Sequence, residues 1–145
     1  MAAIKGSKQL LSMLNEALAK EMAVSIQYMW QHILAKGMYS NAIGPTFRLI
    51  SLQEMLHGEL IAERLDYLGG KPTTEPGKIN IGGTDPFKML KVDVKAEEDA
   101  IALYKKIIKL ADKEGDISTR KMMEDILLQE ENHHNTFTNL IENPL

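Results

Sequence analysis

The sequence predicts an all-α fold, a four-helix bundle with one long crossover between helices two and three. Three observations carry that prediction. Apolar residues recur at helical spacing, glycine and proline fall in only a few places, and nothing between the helical stretches alternates like a half-buried strand for more than a few residues. Helix one runs from about Ser7 to Lys36, with Leu10, Leu14, Ala17, Leu18, Val24 and Tyr28 as its apolar stripe and Gly37 as its stop. Helix two begins near Pro45, a favourable first-turn residue, and ends at Gly69-Gly70, with Phe47, Ile50, Ile61, Leu65 and Leu68 as its stripe. Helix three opens with Asp85 as N-cap and Pro86 in the first turn and runs to Gly115. Helix four starts after Asp116, another good N-cap, and fades near Asn143-Pro144.

The segment Gly70 to Thr84 is too long for an ordinary bundle connection, which is usually ~2–8 residues. Extended, its fifteen residues span roughly 50 Å at ~3.3 Å each. Helix two, about 25 residues, is roughly 37 Å long at ~1.5 Å per residue. The segment can therefore return along the bundle and leave helices two and three parallel, with a floppy insertion between antiparallel neighbours as the alternative.

Composition narrows the function classes. A chain of 145 residues is one domain, residues 1–145, on the usual scale of ~100–150 residues. The net charge of −3, with lysines scattered, gives no reason to expect a nucleic-acid partner. Cysteine is absent, which excludes disulfides, thiolate nucleophiles, Cys-ligated zinc and iron–sulfur clusters. Met1-Ala2-Ala3-Ile4-Lys5-Gly6 lacks the apolar run of a signal peptide, and no stretch approaches the ~20 apolar residues of a membrane span. The expectation is a cytoplasmic protein without a membrane partner.

An internal repeat carries the chemistry. At an offset of 76 residues, Glu21 falls on Glu97, Tyr28 on Tyr104, and Leu52-Gln53-Glu54-x-x-His57 on Leu128-Gln129-Glu130-x-x-His133. These polar residues interrupt apolar stripes: Glu21 lies among Leu14, Leu18 and Tyr28, Glu97 among Leu90, Val94 and Ile101, and Glu130 and His133 among Met123, Ile126 and Phe137. Six ionisable groups therefore point into the bundle seam. Buried carboxylates are rare unless paired or metal-bound, because desolvating each costs several kcal/mol even after relaxation. No Lys or Arg on these stripes is placed to neutralise them.

Two divalent cations would balance the four carboxylates. A Glu and a His at i, i+3 share one helical face, so both can reach one ion, and the lone glutamates of the other helices complete the shells. Carboxylate and imidazole together suit iron, manganese, zinc or copper rather than magnesium or calcium. Glu131-x-x-His134 is also a Glu-x-x-His pair, but Glu131 lies between Glu124 and Thr138 on a solvent face. His134 is therefore expected to be exposed or to support the site from outside, and His32 to be structural or on the surface. Tyr28 and Tyr104 are placed to hold ligand carboxylates, with core aromatics as the alternative. Gln53 and Gln129 are placed to orient histidines, with solvated amides as the alternative.

From Leu14-Asn15-Glu16 to about Ile141 the chain resembles bacterioferritins and bacterioferritin-like members of the ferritin-like di-iron carboxylate superfamily. That family builds its ferroxidase centre from the positions of Glu21, Glu54, His57, Glu97, Glu130 and His133, all present here. Gln27-Tyr28, Gly77-Lys78-Ile79-Asn80-Ile81-Gly82 and Met122-Met123 extend the likeness. Met55 matches the methionine that the family donates to a haem shared across a dimer interface. Twelve residues follow His133, so the family's short fifth C-terminal helix is missing and a dimer or smaller cage gains weight over a full storage shell. Leu49 and Gln53 replace polar or acidic positions associated with passing iron inward. Rubrerythrin-like proteins carry an extra ligand carboxylate one turn from the third-helix Glu; here the neighbours Val94 and Ala100 argue against that relative.

The resemblance implies a ferroxidase that binds two iron ions, with manganese or zinc as other candidates, and oxidises Fe2+ with O2 or peroxide for iron detoxification or storage. It also implies a haem site and a homo-oligomer, at least a dimer. The alternatives are a non-storage dimetal oxidase or peroxidase using iron or manganese, and a bundle that holds metal for structure alone.

Overall fold

Side-chain caps start three of the four helices in the computed structural model, which describes residues 5–144. Ser7 Oγ accepts from Leu10 N at 3.0 Å to open α1 (Lys8–Leu34). Asp85 Oδ1 accepts from Phe87 N at 3.1 Å at the start of α3 (Pro86–Lys113), and Asp116 Oδ1 accepts from Thr119 N at 3.0 Å at the start of α4 (Ile117–Glu142). Each satisfies an amide that the first helical turn leaves without a partner. Gly69 and Gly115 end α2 (Ser40–Tyr67) and α3 in the left-handed conformation, with φ of 85° and 75°.

The start of α2 (Ser40–Tyr67) corrects the sequence reading. The helix begins five residues before Pro45, without a side-chain cap. The physical reason is Ile43, which is fully buried one turn before the equally buried Phe47. Burying both on one face outweighs the amide that Pro45 removes close to the helix end.

Residue pairs fix the helix directions. Tyr28 meets Glu97 and Tyr104 meets Glu21, so α1 and α3 run antiparallel. Gln53 meets His133, His57 meets Gln129 and Arg64 meets Asp116, so α2 and α4 also run antiparallel. The short turns make α1/α2 and α3/α4 hairpins, which leaves α2 and α3 parallel. The connection between them is tied along α1: Thr73 N donates to Asn15 Oδ1 at 2.8 Å, Gly77 N to Ala19 O at 2.9 Å, Asn80 N to Gln27 Oε1 at 2.9 Å and Lys36 N to Thr84 O at 2.8 Å. It is an ordered crossover.

The core has two apolar halves. One gathers Leu10, Leu14, Leu18, Ile61, Leu65, Tyr104, Ile107 and Met123, and the other Tyr28, Ile43, Phe47, Ile50, Met89, Leu90 and Phe137. Between them lies a buried polar layer. Among the described residues no helix follows α4, no strand occurs, and no helix is long and apolar enough to cross a membrane.

Candidate metal centre

All four helices contribute to the polar layer. Glu21 comes from α1, Glu54 and His57 from α2, Glu97 from α3, and Glu130 and His133 from α4; every one is at most 5% exposed. Their ligand atoms form two groups, Glu21–Glu54–His57–Glu130 and Glu54–Glu97–Glu130–His133, each drawn within 4.8 Å. Glu54 and Glu130 belong to both. The two imidazoles lie nearly parallel, with centroids 5.9 Å apart.

Each histidine presents the same nitrogen to the centre. His57 Nδ1 lies 2.7 Å from Glu130, 3.3 Å from Glu54 and 3.7 Å from Glu21. His133 Nδ1 lies 2.9 Å from Glu54, 3.7 Å from Glu97 and 3.8 Å from Glu130. The other nitrogen is held from the facing helix: His57 Nε2 lies 2.6 Å from Gln129 Oε1, and His133 Nε2 lies 2.7 Å from Gln53 Oε1. With Nε2–H donating to the glutamine oxygen, Nδ1 is the nitrogen turned inward, and on His57 its lone pair becomes available to a cation once the imidazolium gives up its proton. Tyr28 donates to Glu97 Oε1 at 2.8 Å and Tyr104 donates to Glu21 Oε1, so each lone glutamate is held by a tyrosine from the opposite helix.

The electrostatics are those of a crowded, buried site. Burial, then the charges of Glu21 and Glu97, raise Glu54 well above the usual carboxyl range. Burial and Glu130 raise Glu97, and burial with Glu21 and Glu54 raises Glu130. Burial opposes a charge on His57, but Glu130, Glu21 and Glu54 around Nδ1 outweigh it and raise its pKa. Burial and the neighbouring His57 charge push His133 down to about 3. Burial and Glu97 raise Tyr28, while burial and Glu21 raise Tyr104, so both remain neutral donors.

The donor set fits metal. Glu21 Oε2, Glu54 Oε1, His57 Nδ1, Glu97 Oε2, both Glu130 oxygens and His133 Nδ1 are buried without a well-formed hydrogen bond. His57 Nδ1 and Glu130 Oε1 approach to 2.7 Å as an ion-pair contact, without a hydrogen bond between them. So many orphaned donors aimed at one volume would be costly unless a ligand completes them.

The remaining candidates lie elsewhere. Met55 is half exposed on the outer face of α2, beside exposed Leu52 and Leu56. His134 Nε2 sits 3.4 Å from Glu98 Oε2 on the α3–α4 surface, and His32 Nδ1 sits 3.1 Å from Gly44 O, between α1 and α2. The sequence reading missed Asp93, fully buried one turn before Glu97. Asp93 stands four positions before Glu97, on the same helical face, whereas Val94 and Ala100 stand three positions to either side of it. Asp93 is turned toward Gln27 and Gln31 and stands outside both groups of ligand atoms.

Fold and site together define an antiparallel-hairpin bundle with a carboxylate–histidine cluster at mid-height. The family model for the ferritin-like domain matches residues 11–144. The bacterioferritin of Desulfovibrio desulfuricans is 33% identical over 133 residues, covering 91% of this chain and 74% of that protein. The structure of Rhodobacter capsulatus bacterioferritin, described with a metal-free dinuclear site and haem iron, superposes with a TM-score of 0.89 at 27% identity, covering 96% of this chain and 87% of that one. A ferritin-like, diiron-carboxylate protein of Bacillus anthracis gives a TM-score of 0.88 at 29% identity, covering 92% of this chain and 96% of that one. The chain belongs to the ferritin-like domain family, as a bacterioferritin-like member.

Proposed function

We propose that the protein is a ferroxidase that binds two Fe2+ ions at the mid-bundle centre and oxidises them, for iron detoxification or storage. The observation that carries this reading is the pair of overlapping donor groups with Glu54 and Glu130 common to both. Glu21 and His57 would complete one ion's shell, and Glu97 and His133 the other's, while the common glutamates span the two. Bound iron supplies one electron per ion. With O2 as acceptor, two Fe2+ and two protons give two Fe3+ and H2O2; with peroxide, two Fe2+, H2O2 and two protons give two Fe3+ and two waters.

The chain's own residues set the conditions for that exchange. Gln53 and Gln129 hold the imidazoles with Nδ1 inward, and Tyr28 and Tyr104 hold the lone glutamates. The apolar halves above and below limit water, which keeps carboxylate–cation attraction strong. The raised carboxyls carry the protons that leave as cations arrive.

Met55 fits a haem ligand in one respect: its thioether is accessible among Leu49, Leu52 and Leu56, an apolar face suited to a flat hydrophobic group shared with a second copy. We place the protein in the cytoplasm as a homo-oligomer on the same family grounds. A non-storage dimetal oxidase or peroxidase, with iron or manganese, is favoured by Leu49 and by Gln53, whose oxygen is committed to His133. Anaerobic Fe2+ titration followed by stopped-flow mixing with O2 or peroxide tests the reading. Saturation at two Fe2+ per chain with rapid oxidation supports it, and Fe2+ oxidised no faster than in buffer overturns it.

A further inference from the structure

Asp93 is a second buried carboxyl with no part in the donor groups, yet it organises a network of its own. Its Oδ1 accepts from Gln27 Nε2 at 2.8 Å and from Gln31 Nε2 at 2.7 Å. Those amides hold consecutive backbone groups of the crossover: Gln27 Oε1 accepts from Asn80 N at 2.9 Å, and Gln31 Nε2 donates to Ile81 O at 3.0 Å. One carboxyl oxygen on α3 thus orients two side chains on α1, and these fix the path of the strap above them. Beneath the strap, between α1 and α3, a cavity of about 410 Å³ extends from exposed Lys95 and Asp99 inward to Glu54, Glu97 and Glu130, and Gln27, Gly77 and Asn80 form part of its wall.

Two atoms of the network have no partner. Asp93 Oδ2 and Gln31 Oε1 are both buried acceptors without a donor, on side chains already joined by Gln31 Nε2–H to Asp93 Oδ1. A proton on Asp93 Oδ2 would give that oxygen a hydrogen to offer Gln31 Oε1, the other unpartnered atom of the joined side chains. Burial, only partly offset by Gln27 and Gln31, lifts the Asp93 carboxyl to about 8, in keeping with a proton held there.

We propose that Asp93, Gln27 and Gln31 are positioning residues for metal uptake, a clasp that holds the crossover at Asn80 and Ile81 and with it the outer wall of the cavity through which divalent cations reach the carboxylate–histidine centre. What travels the cavity rests on the dimetal reading above, whereas the clasp rests on hydrogen bonds alone. Releasing the clasp loosens the wall without removing any donor from the centre.

The test uses the full chain, with hydrogen–deuterium exchange at the Asn80 amide in metal-free protein and stopped-flow uptake of Co2+. Gln27→Leu and Asp93→Ala each break the tie to the strap, so Asn80 exchange should quicken by about tenfold. Co2+ uptake should quicken several-fold, and the number of Co2+ bound at the end should match the parent chain. Asp93→Asn keeps the acceptor and places an N–H donor opposite Gln31 Oε1, so it should behave like the parent in both assays. Should Asp93→Ala not fold, Gln27→Leu carries the comparison. Unchanged Asn80 exchange in Gln27→Leu overturns the clasp, and faster exchange with unchanged Co2+ uptake overturns its role in access. Fewer Co2+ ions bound by Asp93→Asn would make Asp93 a ligand and also overturn the proposal. A parent chain that takes up no Co2+ sinks the dimetal reading, and the exchange result then decides the clasp alone.

Discussion

Loading the centre with two divalent cations should expel on the order of four protons per chain near neutral pH, because the ligand atoms must be deprotonated before they coordinate. The count comes from the site. Glu54, Glu97 and Glu130 all have pKa values raised by burial and by one another, and His57 is raised by the carboxylates around Nδ1. These shifts favour the protonated form of all four groups in the cation-free protein, and all four present donor atoms to the centre. Two divalent ions in and four protons out leave the charge of the buried layer unchanged. That exchange avoids an uncompensated buried charge, each of which costs several kcal/mol. Zn2+, which has no redox chemistry here, is the appropriate probe. Calorimetric titrations at about pH 7, in two buffers of different protonation enthalpy, give the proton count from the difference in apparent heat. Release of fewer than about two protons would refute the reasoning, because the carboxyls would then already be ionised despite their burial.

The same shifts fix the pH dependence of the cation-free protein. Glu54, Glu97, Glu130 and His57 bind protons more tightly when folded, so their contribution to stability is present at low pH and is lost as pH rises through their folded values. His133 has the opposite sign, costing stability below its unfolded value of 6.5, but it is one group against four. Melting temperature without metal should therefore fall between about pH 5 and pH 8, and scanning calorimetry in chelator checks it. Glu54→Ala or Glu130→Ala should each lose both cations, whereas Glu21→Ala or Glu97→Ala should keep one, as counted by metal analysis after dialysis. Gln129→Leu leaves the His57 Nε2–H buried without an acceptor, costing about 1–3 kcal/mol in chemical denaturation and weakening metal binding about 10–100-fold.

The fold was legible because its signals were strong and local. Asp85-Pro86 and Asp116 announce helix starts through caps that need only neighbouring amides, and the glycines at 69 and 115 end helices through backbone geometry. The start of α2 was hidden because nothing local marks it; the burial of Ile43 against the other helices decides it. The convergence of Glu21, Glu54, His57, Glu97, Glu130 and His133 was legible for a different reason: an acid on an apolar stripe is conspicuous, and the repeat presents the pattern twice. Asp93 escaped because it lies outside the repeat, its counterpart 76 residues earlier being Ala17. Its partners, Gln27 and Gln31 and through them Asn80 and Ile81, are joined only by the crossover's path, which a length argument locates but cannot register.

The hydrogen bonds around the centre follow one rule that explains why the site is so regular. Tyr28 to Glu97, Tyr104 to Glu21, His57 to Gln129 and His133 to Gln53 each run from one hairpin to the other. Short turns already register α1 with α2 and α3 with α4, but between the hairpins the polar layer interrupts the apolar packing. These four links therefore set the register of the two halves at the height where donors must meet. Cations bound across the same seam would tighten what the links align, since each donor group draws ligands from both hairpins. Stability gained on loading should then exceed what either half could gain alone, and the metal-free protein should open first along the α1α2–α3α4 seam rather than within a hairpin.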